Sequence, residues 1–378
     1  MNPSKTGAVG PSKKTIPWWE PSIGPKVKDR VFRVIESGYL NDGEVTAELE
    51  KRLMELTGSA HAVGVSSGTA GLFLSLVACG VGPGDEVLVP DVTFIATANA
   101  VSLAGATTVL VDVRREDFSI DPEKIAEALT PKTRAILPVH VNGRSADMDA
   151  ILSIARAHGL KVVEDAAETL GASWKKRSLG TLGDAGALSF ASSKLVTTGQ
   201  GGAVLTNNHK VRDRIKELKD QGRLHTGTGG DDKHPVVGYN FKLTNLQAAV
   251  ALAQLEEIEE RTTHLRNLYE WYRQGLAGIK GLRLLPFDFA SGQQPQWIDV
   301  MTPRRDQLAE FLLRRGIRTR KFWFPLHTQP PYRDREDRFP NASAVCREGL
   351  WLPSSVTLRR QEVARVTEAI REFFLKGS

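Results

Sequence analysis

Six short β-rich runs, HAVGVSS, EVLVP, TTVLVDV, AILPVH, KVVEDA and ALSFA, follow one another between residues 61 and 191. Stretches with helical spacing of apolar residues, such as TAGLFLSLVACG and MDAILSIARAHG, separate most of them. A strand that returns to its sheet through a helix returns in parallel, so this alternation predicts an α/β fold: a mostly parallel sheet with helices on both faces. KVKDRVFRVIESG and TAELEKRLMELTG precede it as amphipathic helices, the second stopping at Gly58, a residue that readily takes the left-handed C-terminal position. From about residue 265 the rhythm changes to WIDVMT, a helix RDQLAEFLLRRG, a proline-rich stretch and a last helix ending in EAIREFF. The expected organisation is a flexible tail over 1–15, a large α/β domain over 16–264 and a smaller α+β domain over 265–378. HTGTGGDDKHP reads as a mobile surface loop.

With 378 residues the chain can bury a large core, and 41% hydrophobic with 25% charged residues is the balance of a soluble globular protein. Its formal charge of +6 suits a nucleic acid, a membrane surface or an anionic small molecule alike. The 50 basic and 44 acidic residues are interleaved, which favours a mixed solvated surface over a nucleic-acid footprint. Arg314, Arg315, Arg318, Arg320 and Lys321 are the one dense basic cluster. Cys79 and Cys346 lie far apart with no CxxC or histidine-rich context, so neither disulfides nor a metal site is expected. No long uncharged apolar run is present, and the expected location is the cytoplasm.

Ligands of open α/β sheets gather at the carboxyl ends of the strands, and three places there carry chemistry. Ser67-Gly68-Thr69 follows HAVGVSS and opens a helix; such a turn offers backbone N–H groups to a phosphate, or is an ordinary N-cap. Asp165 ends an apolar strand. As a buried anion it needs a cation, such as a protonated pyridine nitrogen, unless it caps a helix over AAETLGA. Lys194 lies five residues after Ser189 and just before Thr197-Thr198-Gly199-Gln200-Gly201-Gly202. A lysine shielded from water is a Schiff-base nucleophile, whereas one on an open loop is only solvated.

The ordered set EPSIGP, SSGTAGLFLSL, GDEVLVPDVTFIATANAV, VVEDAAETLGA, SFASSKLVTTGQGGAV, GYNFKLTNLQAAVALAQL and GLWLPSS resembles the DegT/DnrJ/EryC1/StrS aminotransferases, within the fold-type I pyridoxal-phosphate enzymes. The resemblance spans nearly the whole chain and implies an aspartate aminotransferase-like fold. It also implies that Lys194 forms the internal aldimine with pyridoxal 5'-phosphate (PLP) and that Asp165 pairs with the pyridine nitrogen. Gly68, Thr69 and Ser189 would hold the phosphate, and Phe94 would stack on the ring. Asn240 would reach the phosphate of a neighbouring subunit, so a homodimer with shared active sites is implied. Glu168 would face the substrate, or be the first-turn acid of a helix.

Two segments depart from the usual pattern. GQGG at 199–202 stands where GEGG is common, and VNGRSADM stands where a YGH-type sequence is common, which leaves His140 and Arg144 without an assigned role. In a small branch that deoxygenates its sugar a histidine replaces the lysine; Lys194 argues against that branch.

The implied reaction is ping-pong, with L-glutamate as amino donor and a nucleotide-linked keto sugar as acceptor. RGIRTRKFWFPLHTQPPYR and GLWLPSS resemble the perosamine-synthase-type members, which points to a 4-keto-6-deoxyhexose aminated at C4. Arg320, His327 and Tyr332 are the candidate substrate contacts, the basic cluster serving a diphosphate or simply complementing a helix end. A cyclitol ketone is the alternative acceptor. A basic nucleic-acid-binding or regulatory protein is disfavoured for want of a helix-turn-helix or aromatic-basic platform. A nicotinamide oxidoreductase is disfavoured for want of GxGxxG after the first strand.

Overall fold

The computed structural model describes residues 15–223 and 233–376. Nearly all of the expected tail and most of HTGTGGDDKHP therefore lie outside the described residues. Nine strands come first in the chain: β1 (His61–Val65), β2 (Glu86–Pro90), β3 (Thr107–Val111), β4 (Thr133–Ile136), β5 (Lys161–Asp165), β6 (Ser173–Trp174), β7 (Arg177–Ser178), β8 (Ala185–Ser189) and β9 (Gly202–Thr206). Seven of them form one sheet in the order β1-β9-β8-β5-β4-β2-β3, while β6 and β7 make a separate hairpin. All six β runs read from the sequence are strands of the large sheet.

The pairs β8–β5, β5–β4, β4–β2 and β2–β3 are parallel, and β9 is antiparallel to both β8 and β1. β9 is thus the one reversed strand, and the other six point the same way. Its residues GAVLT were not expected as a strand, because no helix separates them from β8; a loop over 190–201 turns the chain straight back, pairing Ser189 with Gly202. β4 stops short of the predicted run at Ile136, since Pro138 has no N–H for a ladder.

The helix Gly68–Ala78 is apolar on nearly every side and is buried along most of its length, as expected for a helix enclosed in a core rather than lying on a surface. It lies so close on the sheet that a Cβ at Gly71 would come within 3.3 Å of Ala187 and Val204. Helices Pro25–Ser37 and Glu44–Thr57 form as expected and end at Gly38 and Gly58, with φ of 71° and 70°.

The C-terminal part holds β10 (Arg283–Leu284), β11 (Ile298–Met301), β12 (Arg320–Lys321) and β13 (Gly349–Leu352) in an antiparallel sheet of order β10-β11-β13-β12. Helices Arg305–Arg314 and Arg360–Leu375 accompany it. The helix Ile258–Leu276 runs unbroken through residue 264. One apolar cluster joins Val63 of β1 to Trp351 of β13, and another joins Leu205 of β9 to Leu352 of β13. Trp297 and Trp351 anchor this junction with ring centroids 4.9 Å apart, and Trp18 packs on Trp297 at 5.6 Å.

Candidate active site

Because β1, β2, β5 and β8 share one direction, the residues at their carboxyl ends meet on one edge of the sheet. Gly68 follows β1 and is packed against Ser189, the last residue of β8: a Cβ at Gly68 would sit 2.9 Å from that of Ser189. Gly202 closes the same corner, since its Cβ would lie 2.8 Å from the Gly68 amide nitrogen. Ser67 serves as the N-cap, its Oγ accepting from the Ala70 N–H at 3.1 Å. The capping role thus falls to Ser67, and the first helical N–H groups, those of Gly68 and Thr69, have no acceptor within the helix. Three small residues and the positive end of a buried helix make a concave seat for an anion.

Asp165 ends β5 and is buried. No helix follows it; the AAETLGA segment is a series of turns, so Asp165 is not a helix cap. Its Oδ2 accepts from Thr97 Oγ1 at 2.7 Å and its Oδ1 from the Ala167 N–H at 3.1 Å. Burial pushes this carboxyl above the usual carboxylate range, and the two hydrogen bonds only partly oppose that shift. A cationic partner would reverse the penalty.

Lys194 lies on the loop between β8 and β9. Its Nζ stands 3.1 Å from Glu168 Oε1 and 4.9 Å from the Trp297 ring centroid. Both partners of the ion pair are largely shielded, with side-chain exposures of 12% and 6%. The backbone just before the lysine is clamped from both ends of the chain: Gln296 Nε2 and Trp297 Nε1 of the C-terminal part both donate to Ser193 O at 3.2 Å, and Trp19 Nε1 near the N-terminus donates to Ser192 O at 3.1 Å. Trp297 was missed as a site residue. WIDVMT is visible as a strand, but nothing local says which loop its indole will meet.

The remaining candidates are scattered. Phe94, after β2, is half exposed on the same edge. Asn240 is exposed and bridges to Asp220. Arg320 on β12 is half-buried, 5.0 Å from the Trp18 ring; burial lowers its pKa, and the field of Glu168 opposes that shift. His327 is buried, its Nδ1 2.6 Å from Asp91 Oδ2 and its ring stacked on Phe339. Tyr332 donates to Asn99 Oδ1 at 2.7 Å and lines a groove of about 400 Å³ with Thr107 and Thr108. That groove runs along the edge strand β3, from Thr107 to Leu110.

The two departing segments have clear places as well. His140 is buried against Glu164 at 2.9 Å, and Arg144 grips Asp299 through both terminal nitrogens at 2.7 and 2.8 Å. Gln200 is exposed, and its carbonyl accepts from Gln247 Nε2 at 2.7 Å. Among the described residues no cluster of side chains could hold a metal ion, and no helix is long and apolar enough to cross a membrane.

An anion seat, a buried carboxylate in want of a cation and a shielded lysine amine on one edge match a ligand carrying a phosphate, a basic ring nitrogen and an aldehyde. The model of the DegT/DnrJ/EryC1/StrS aminotransferase family matches residues 21–371. The chain belongs to this family. Among fellow aminotransferases, the GDP-perosamine synthase of Caulobacter vibrioides is 37% identical over 358 residues, covering 93% of this chain and 96% of that one. The structure of DesV from S. venezuelae in complex with a ketimine intermediate superposes with a TM-score of 0.90 at 34% identity, over 96% of this chain and 99% of that one. The PLP form of Spr1654 from Streptococcus pneumoniae gives 0.90 at 25% identity, over the same 96% and 99%.

Proposed function

We propose that this aminotransferase binds pyridoxal phosphate through Lys194 and moves an amino group from L-glutamate to a nucleotide-linked keto sugar, a 4-keto-6-deoxyhexose aminated at C4. The observation that carries this reading is the Lys194 amine held against Glu168 on the strand edge that also presents the buried Asp165. Pyridoxal phosphate supplies an aldehyde and an electron-withdrawing ring when bound. Gly68, Thr69 and Ser189 hold its phosphate, Phe94 lies against its ring and Asp165 keeps its nitrogen protonated. Lys194 anchors it through Nζ and, when that amine is free, is the base placed to carry a proton at the donor or product carbon. Trp297 and the clamped 192–193 backbone keep that amine aimed.

Kinship with a GDP-perosamine synthase supports the sugar nucleotide and C4 as the aminated position. Arg320, half-buried and within the field of Glu168, is the best-placed substrate cation. The homodimer draws support from Phe32, Ile35 and Tyr39, large apolar side chains left exposed on and just after the first helix of the single chain, a pattern that marks protein interfaces. Asn240, also exposed, would act across that interface.

Purified protein should be yellow or become so with pyridoxal phosphate, lose the colour on adding glutamate and regain it with the acceptor. Protein that stays colourless on reconstitution overturns the reading. Preference for an inosose over GDP- or TDP-linked 4-keto-6-deoxyhexoses would move the acceptor to the cyclitols. Gly68→Ala should weaken cofactor binding in a fluorescence titration by about 10-fold or more, because the new Cβ must displace Ser189, and overpacking should lower stability by about 1–3 kcal/mol.

A further inference from the structure

Glu168, which faces Lys194 through Oε1, is held on its other side by a main-chain group: Oε2 accepts from the Asn142 N–H at 2.9 Å. Asn142 reaches that position in a left-handed conformation, φ 55° and ψ 24°, which an L-residue other than glycine adopts only at a cost. Gly143 follows at φ 84°, and a Cβ there would collide with Gln294 O at 1.8 Å. The strained turn is fastened from the C-terminal sheet. Asn142 Nδ2 donates to Asp299 Oδ2, and Arg144 forks onto both oxygens of Asp299. Arg144 also donates to the carbonyls of Pro286 and Leu285 and lies 3.8 Å from the Phe287 ring centroid. The Gln294 and Gln296 N–H groups take up the carbonyls of Gly143 and Asn142.

Arg144 and Asp299 are 2% and 0% exposed. A buried ion pair adds little net stability over apolar residues of the same volume, because desolvation offsets most of the attraction. Asn142 Oδ1 is buried and meets no donor among the described residues, which adds a further cost. The pair and the amide are therefore poor as glue, but they define one backbone geometry and the direction of one N–H.

We propose that Arg144 and Asp299 are positioning residues: they hold the Asn142 turn so that its N–H fixes the Glu168 carboxylate against the Lys194 amine. This inference rests on the reading of Lys194 given above. It assigns to the NGR segment a role in aligning the proton-transferring lysine and none in touching the substrate.

The test uses the holoenzyme with Arg144→Met/Asp299→Leu, in which neither buried charge is left alone. Glu168→Gln and the triple variant complete the cycle. The expected result is a fall in kcat of about 10-fold or more in the double variant, with the glutamate KM within about 2-fold and cofactor loading and melting temperature near those of the parent. Glu168→Gln should lower kcat to a similar extent, and the triple variant should be no more than about 2-fold worse than either, since both act through one carboxylate.

A double variant with parental kcat, a Glu168→Gln with parental kcat, or losses that simply multiply would each overturn the proposal. Should the double variant not fold, Arg144→Lys takes its place: it keeps a cation beside Asp299 but loses the fork, so the same fall in kcat is expected and a parental kcat overturns the proposal. A parent protein that takes up no pyridoxal phosphate, or is not labelled at Lys194 after borohydride reduction, refutes the reading of Lys194. A normally loaded variant with parental kcat refutes only the positioning role.

Discussion

Lys194→Ala is expected to lower the turnover of the amino transfer by at least about 10³-fold, because in the proposed role of Lys194 it removes an anchoring nucleophile and a proton carrier at once. The Nζ atom is fixed by a carboxylate at 3.1 Å and an indole face at 4.9 Å, and the loop beneath it is bolted to two tryptophan N–H groups and a glutamine amide. The alanine variant should therefore keep its fold and leave a gap beside Glu168. Added methylamine should enter that gap and restore part of the lost rate, whereas tetramethylammonium, with neither a proton to give nor a lone pair to accept one, should not. The measurement is steady-state turnover with and without each amine. Turnover unaffected by the substitution would place the chemistry on another residue.

Asp165→Asn is expected to separate stability from activity. In the cofactor-free protein burial raises this carboxyl above its ordinary range. A carboxyl raised on folding contributes stability that is complete below its unfolded pKa and is lost as pH rises through its folded one. At neutral pH, above its unfolded pKa, the Asp165 carboxyl therefore weighs against the cofactor-free fold, and an asparagine, which never ionises, removes that cost. The replacement also keeps the hydrogen bonds. Its oxygen can accept from the Ala167 N–H while its amide donates to Thr97 Oγ1, whose hydrogen can turn to Phe94 O at 3.1 Å. Melting of cofactor-free protein at pH 7 should be no lower than in the parent, while turnover should drop by about 10²-fold or more as the cofactor ring loses its counter-charge. A variant that melts lower yet turns over normally would show that Asp165 serves the fold alone.

Much of this arrangement could be read from the chain because strand ends are local events. Ser67-Gly68-Thr69, Asp165 and Ser189 each lie at the end of a β-rich run, and the parallel sheet brings such ends to one edge wherever it forms. What escaped were residues whose partners are distant in sequence. β9 was overlooked because the helix that normally announces the next strand is replaced by the Lys194 loop. Asp299 sits in the small-domain strand β11 and Trp297 just before it, in a pattern of ordinary core, and only tertiary packing turns them toward residues 142–194. His327 and Tyr332 are candidate substrate contacts through the likeness of their segment to perosamine synthases, and their hydrogen bonds to Asp91 and Asn99 are partnerships that the local sequence does not reveal. Arg144 had no assigned role for the same reason: a forked ion pair 155 positions apart in the chain leaves no mark on either local sequence.

The clamp on the Lys194 loop also sets an order of events during synthesis. The carbonyl of Ser193 receives its donors from residues 103 and 104 positions later. At the usual pace of translation that segment is made roughly 5–20 s after the lysine itself. Until then the sheet edge, the anion seat and the amine can exist, but the lysine loop is held by Trp19 and Glu168 without the second half of its clamp. The nascent chain thus acquires its reactive group well before it acquires control over it, and competent uptake of the cofactor belongs to the finished polypeptide.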